Sequence, residues 1–209
     1  MEKKKKGLKP YKIKTDDKFY HPMKTILSPI AKILFRPKFI NKEVFDNRDN
    51  KKTIILCNHR YNLDPIMICI PAPKTVHFLG KLEIMNAFFI KHFLRHVGII
   101  PVDRTKKSPE VFQVVKEYLD KNEIIALFPE GTRNKNLSET KLLEFKYGAA
   151  KMAIDNDAEV IIAVQKGKFN VINNEGLAIK FSEPIKLEKD VVKATKTIRK
   201  KMLEMLEDF

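Results

Sequence analysis

From residue 53 onward, short apolar runs alternate with longer stretches of helical spacing. Thr53–Cys57 (TIILC), Thr75–Leu79, Ile99–Val102, Ile124–Phe128, Val160–Val164 and Leu177–Phe181 read as strands, because each is brief, apolar and bounded by polar residues. Between them Pro65–Ile70 predicts a short helix. Ile84–Val97 predicts another, with Phe88, Phe89, Phe93 and Val97 on a wide apolar face. Ser108 caps a predicted helix that runs to about Asn122, with Glu110 in the first turn where the helix dipole favours negative charge. Leu142–Asn156 and Asp190–Asp208 complete the set. Strands separated by helices imply an α/β fold, a single domain with a mostly parallel central sheet flanked by helices. In such sheets ligands bind beyond the carboxyl ends of strands. That rule gathers three polar loops at one edge: those starting at Asn58, Asp103 and Pro129.

The first fifty residues follow a different pattern. Ile26, Leu27, Ile30, Leu34 and Phe35 recur at helical spacing with Lys24, Lys32, Arg36 and Lys38 among them, a basic amphipathic helix broken or started near Pro29. Such a helix suits a membrane interface, an ordinary place on the domain surface, or both. Charge sharpens the question. The chain carries +15 overall, and residues 1–52 hold sixteen Lys and Arg against six Asp and Glu. A polyanion is the natural partner, either nucleic acid or an anionic membrane. Aromatic residues are not interleaved with the lysines as base stacking requires, and Trp is absent, so no nucleic acid is expected. The segmentation is a basic tail over 1–20, an amphipathic membrane-associating segment over 21–45 and one domain over 46–209. No run reaches the roughly 18 apolar residues of a membrane span. MEKKKK is not followed by the apolar core of a secretory leader, and two cysteines twelve positions apart form no disulfide framework. A reducing, cytoplasmic setting is expected.

The loop CNHRYNLDP, residues 57–65, leaves a hydrophobic strand and at once presents Asn58, His59 and Asp64. It fits a plain polar turn, a metal site, or a carboxylate that orients a proton-accepting imidazole. On a continuous helix five positions turn by about 140°, so His59 and Asp64 meet only if a turn leads into the helix. The second loop ends in Asp103 and Arg104. The third, FPEGTR, carries Glu130, Gly131, Thr132 and Arg133. A hydroxyl, backbone N–H groups and two arginines suit a phosphate, because guanidinium donors match phosphate oxygens in pairs. No GxSxG or P-loop occurs, and HFLRH at 92–96 lacks the glutamate of a zinc protease.

These stretches together resemble the phosphate-acyltransferase family that includes 1-acyl-glycerol-3-phosphate acyltransferase. NHxxxxD stands at Asn58, His59 and Asp64; Gly-hydrophobic-Asp-Arg at Gly98 to Arg104; FPEGTR at Phe128 to Arg133; FKxGA at Phe145, Lys146, Gly148 and Ala149. The resemblance covers about residues 50–170. It departs at Ile162, where a proline is usual, at Cys57, where a small hydroxyl residue is common, and in lacking the spanning helices of some relatives. It implies transfer of a fatty acyl group from a thioester to the hydroxyl of lysophosphatidate, giving phosphatidate. His59 would be the base and Asp64 its orienting carboxylate; Asn58, Arg104, Glu130, Gly131, Thr132 and Arg133 would bind the acceptor. No metal or cofactor is implied; acyl-CoA or acyl carrier protein is the co-substrate. The expected location is peripheral, on the cytoplasmic face of the cell membrane. Other acceptors, such as glycerol-3-phosphate or a lysophospholipid, remain open, as does a nucleic-acid-binding protein of a different class.

Overall fold

The structure, a computed structural model, describes residues 17–81, 96–103, 109–135, 138, 140–172 and 176–209. Within them lie seven strands: β1 (Lys38–Ile40), β2 (Thr53–Cys57), β3 (Val76–Lys81), β4 (Ile100–Val102), β5 (Ile124–Leu127), β6 (Glu159–Lys166) and β7 (Ala178–Phe181). Five α-helices and a short 3₁₀ helix (Lys42–Phe45) accompany them among the described residues, the α-helices being α1 (Asp17–Phe35), α2 (Asp64–Cys69), α3 (Pro109–Asp120), α4 (Tyr147–Asp155) and α5 (Val191–Glu207). The strand order is β1-β7-β6-β2-β5-β3-β4. All neighbours run parallel except β6 and β7. The fold is the expected single α/β domain with a mostly parallel sheet.

β2 lies at the centre, and all five of its residues are buried. A strand covered on both faces has no polar side, so it reads as a continuous apolar run. Its alternation divides the core in two. Ile54 and Leu56 pack with Val115 of α3, Ala150 of α4 and Ile198 of α5. Ile55 and Cys57 pack with Met67 and Ile68 of α2 and Ala31 of α1. Ile162 occupies the position of the family proline. It keeps the N–H that proline lacks and donates it to Ser182 Oγ at 3.0 Å.

Three elements differ from the sequence pattern. α1 neither breaks nor starts at Pro29; it runs through both Pro22 and Pro29. Tyr20 and Ala31 are buried on either side, so docking anchors both halves despite the lost backbone bonds. The helix ends where Arg36 takes a φ of 45° before Pro37. β1, absent from the sequence reading, then pairs parallel with β7 and joins the sheet edge. α4 begins five residues later than Leu142. The N–H groups of Leu143 and Lys146 are drawn instead to Glu130 and Pro129, which keeps that stretch out of a helix. The predicted helix over 84–97 and the Ser108 cap fall largely outside the described residues.

Candidate functional site

β2 and β6 are neighbours, with Cys57 opposite Ala163. One step further the side chain of Asn58 extends the pairing. Its Oδ1 accepts from the Gln165 N–H at 2.8 Å, and its Nδ2 donates to the Gln165 carbonyl at 3.0 Å. The chain then turns through residues 60–63 and enters α2 at Asp64, with Pro65 in the first turn. Asp64 is fully buried. Its Oδ2 accepts from the N–H groups of Arg60 (2.7 Å) and Tyr61 (2.8 Å) and lies 2.9 Å from His59 Nδ1. Its Oδ1 accepts from Gln165 Nε2 at 2.8 Å. A carboxylate only accepts, so the ring proton sits on Nδ1 and Nε2 carries the free lone pair. Among the described residues nothing in the protein bonds to Nε2, and the side chain keeps 19% exposure. The imidazole stacks on Phe128 at 4.0 Å between centroids, and Phe128 stacks in turn on Phe78.

The loop after β5 holds His59 from behind. Leu56 of β2 pairs with Leu127 of β5, which brings residues 128–134 alongside. Gly131 closes a turn by donating to the Phe128 carbonyl, and its φ of +70° favours glycine. The turn aims Glu130 inward. Its Oε1 accepts from the His59 N–H and its Oε2 from the Leu143 N–H, both at 2.9 Å. Burial pushes the Glu130 carboxyl above its usual range, while those two N–H groups oppose the shift. The His59 carbonyl accepts from the Asn134 N–H at 2.7 Å. Both backbone groups of His59 are therefore fixed by the same loop. Thr132 and Arg133 lie exposed at the rim, and Arg133 Nη1 donates to Asn62 Oδ1 at 2.6 Å, tying the two loops together.

The sequence-predicted residues thus divide by place. His59 and Asp64 meet directly, with Gly131, Thr132 and Arg133 on the adjoining loop. Asn58 and Glu130, expected to bind the acceptor, are buried and engaged with the backbone at Gln165, His59 and Leu143, so they shape the site from within. Asp103 follows β4 at the far edge of the sheet. Arg104, Phe88, Phe89, Phe93 and His92 lie outside the described residues. Cys57 is buried, and burial together with the Asp64 charge raises its thiol well above the ordinary range. That favours the neutral thiol, a packing group that donates weakly to Asn58 Oδ1. Gln165 escaped the sequence reading; its only signal is a polar residue closing the apolar run VIIAV. Among the described residues no three His, Cys, Asp or Glu side chains gather as metal ligands would.

Comparison with known proteins places this arrangement. A 1-acyl-sn-glycerol-3-phosphate acyltransferase of Helicobacter pylori strain J99 is 31% identical over 140 residues, 66% of this chain and 58% of that protein. One from Bacillus subtilis strain 168 is 28% identical over 115 residues, 54% and 55% of the two chains. The chain spans somewhat over half the length of these relatives. The crystal structure of the 1-acyl-sn-glycerophosphate acyltransferase PlsC from Thermotoga maritima shares the fold, with a TM-score of 0.68 over 90% of this chain and 81% of that one, at 16% identity. The Acyltransferase family model matches residues 36–165, which take in the His59–Asp64 turn, the Glu130 loop and Gln165; the chain belongs to the acyltransferase family.

Proposed function

We propose that this chain transfers a fatty acyl group from an acyl thioester to the free hydroxyl of lysophosphatidate, forming phosphatidate. The carrying observation is the His59 imidazole, with Nδ1 held by the buried Asp64 carboxylate and Nε2 left to the outside. Nε2 takes the hydroxyl proton as the acceptor oxygen attacks the thioester carbonyl. A C–O bond forms, the C–S bond breaks, and the imidazolium returns its proton to the departing thiolate. Asp64 stabilises the transient imidazolium and keeps the ring oriented; such base catalysis supplies about 10²–10⁴-fold in rate. Arg133 and Thr132 at the rim, with Arg104, hold the acceptor phosphate. The carrier is coenzyme A or acyl carrier protein, both acidic and suited to a chain of +15.

The acceptor resides in a membrane, and α1 suits that surface. Ile26, Ile30 and Ile33 are exposed along one face of α1 and Lys32 is exposed farther round, as in a helix lying at an interface, while Lys24 turns inward and donates to the Ala72 carbonyl. No helix among the described residues is long and apolar enough to cross a membrane. Peripheral attachment at the cytoplasmic face follows from this reading.

The decisive assay supplies lysophosphatidate and an acyl thioester to the purified chain and measures free thiol and the lipid product. His59→Ala is expected to abolish release; unchanged release would remove His59 as base. Arg133→Ala is expected to raise the acceptor KM about tenfold with kcat little changed, since a charge-assisted contact to phosphate is worth roughly 1.5–3 kcal/mol. A loss of fold stability with normal kinetics would assign Arg133 to the loop contact with Asn62 instead.

A further inference from the structure

We propose that Gln165 is a positioning residue for the reaction: its amide holds the Asp64 carboxylate in the orientation that makes His59 Nε2 the base. This inference rests on the acyltransferase reading of the site.

The geometry carries it in three steps. Asp64 Oδ2 is already served by two backbone N–H groups and the imidazole. Oδ1 on the other side is served by Gln165 Nε2 at 2.8 Å. Rotation of the carboxyl group would trade these partners, so the amide locks the plane in which Oδ2 meets the ring. The amide itself cannot wander. Its backbone N–H and carbonyl are both clasped by the Asn58 side chain, at 2.8 and 3.0 Å. Asn58, Gln165, Asp64 and His59 thus form one chain of contacts, running from the end of β6 to the reacting nitrogen.

A packing role explains the side chain poorly. Gln165 is 1% exposed, and its Oε1 is buried with no hydrogen-bond partner among the described residues. A methionine would fill similar space without an orphaned acceptor. Buried polar groups are ordinarily paired, so one that leaves half its amide unpaired is explained by its other half. That half makes a hydrogen bond to a buried carboxylate, among the stronger classes of such bonds.

The test uses the full chain with two variants and two readouts. In thiol release, Gln165→Met is expected to lower kcat about 10- to 100-fold, the loss of a hydrogen bond to a charged group, with the acceptor KM within about threefold. Gln165→Glu keeps the shape. When protonated, the introduced carboxyl donates to Asp64 Oδ1; when ionised, it repels it. Burial and the Asp64 charge raise its pKa, so its activity relative to the parent falls as pH rises. A ratio that is flat across pH, or an unchanged kcat in Gln165→Met, overturns the proposal. The second readout is the ¹⁵N spectrum of His59, which needs no turnover. Gln165→Met is expected to weaken the Nδ1-protonated tautomer; an unaltered His59 signal overturns the proposal. Should the parent chain release no thiol, the functional reading fails, while the His59 spectrum still judges the role of Gln165.

Discussion

His59 and His77 flank the same strand in similar company. β5 has β2 on one side and β3 on the other, and each of these neighbours presents one histidine, His59 just past the end of β2 and His77 within β3. Each ring lies 4.0 Å from an aromatic partner, Phe128 for His59 and Tyr118 for His77. Each Nδ1 meets an oxygen at about hydrogen-bond distance, 2.9 Å for His59 and 3.0 Å for His77. The partners differ in kind: a buried carboxylate for His59, the Gly98 carbonyl for His77. The places differ too. His59 stands beyond the carboxyl end of its strand with 19% of its side chain exposed; His77 pairs opposite Ile125 inside the sheet with 1%. A carbonyl can fix a tautomer but offers little to an imidazolium, whereas a carboxylate stabilises the charge. A base also needs an accessible nitrogen. Among the described residues the Nε2 of His77 is buried without a hydrogen-bond partner, 3.9 Å from Glu123. Ring contact and a bonded Nδ1 therefore do not mark out a histidine able to act as a base; the partner's charge and the strand's open end do.

The sharpest way to break this contrast is Asp64→Asn. An amide in that place turns its N–H₂ either toward the Arg60 and Tyr61 N–H groups or toward the Gln165 Nε2 donor, and in both orientations the negative charge is gone. The expected loss in kcat is about 10²–10⁴-fold. A stability measurement on the same variant separates misfolding from lost orientation, and near-normal turnover would dismiss the carboxylate's role. His77→Phe is the matching change on the other side. It keeps the tilted ring contact with Tyr118 but leaves the Gly98 carbonyl without its donor, costing about 1–3 kcal/mol of stability in a denaturant titration. Its kcat should stay within about twofold; a large kinetic loss at intact stability would make His77 part of the chemistry. The smallest effect is expected from Glu123→Gln. At 3.9 Å from Nε2 and partly exposed, this carboxylate should contribute under about 1 kcal/mol. A larger loss would show that His77 is held by charge after all, and the contrast would weaken.

Much of the site is visible in the linear chain because its central pair is local. Five positions separate His59 from Asp64, and a strand leaving into a Pro-started helix leaves one compact turn between them. Six of the seven strands are equally visible, since apolar runs are short-range signals; the edge strand β1, three residues long and mostly exposed, carries no such run. Asn58 and Glu130 show where that vision stops. Their residue types suit a phosphate site, but their side chains are taken by backbone groups that sequence order alone does not bring near. Gln165 shows the reverse: an ordinary polar residue at the end of an apolar run becomes a partner of the buried carboxylate.

By itself the amino-acid order determined the alternation of strands and helices and the encounter of imidazole with carboxylate, because both depend on contacts within a few positions. Tertiary structure alone decided what surrounds that pair. Glu130 reaches His59 across 71 positions, and Gln165 reaches Asp64 across 101. Those bonds exist because β2 lies between β5 and β6 in a particular register. Strand order and register are set by burying the whole sheet between its helix layers, a global packing outcome that no local periodicity encodes.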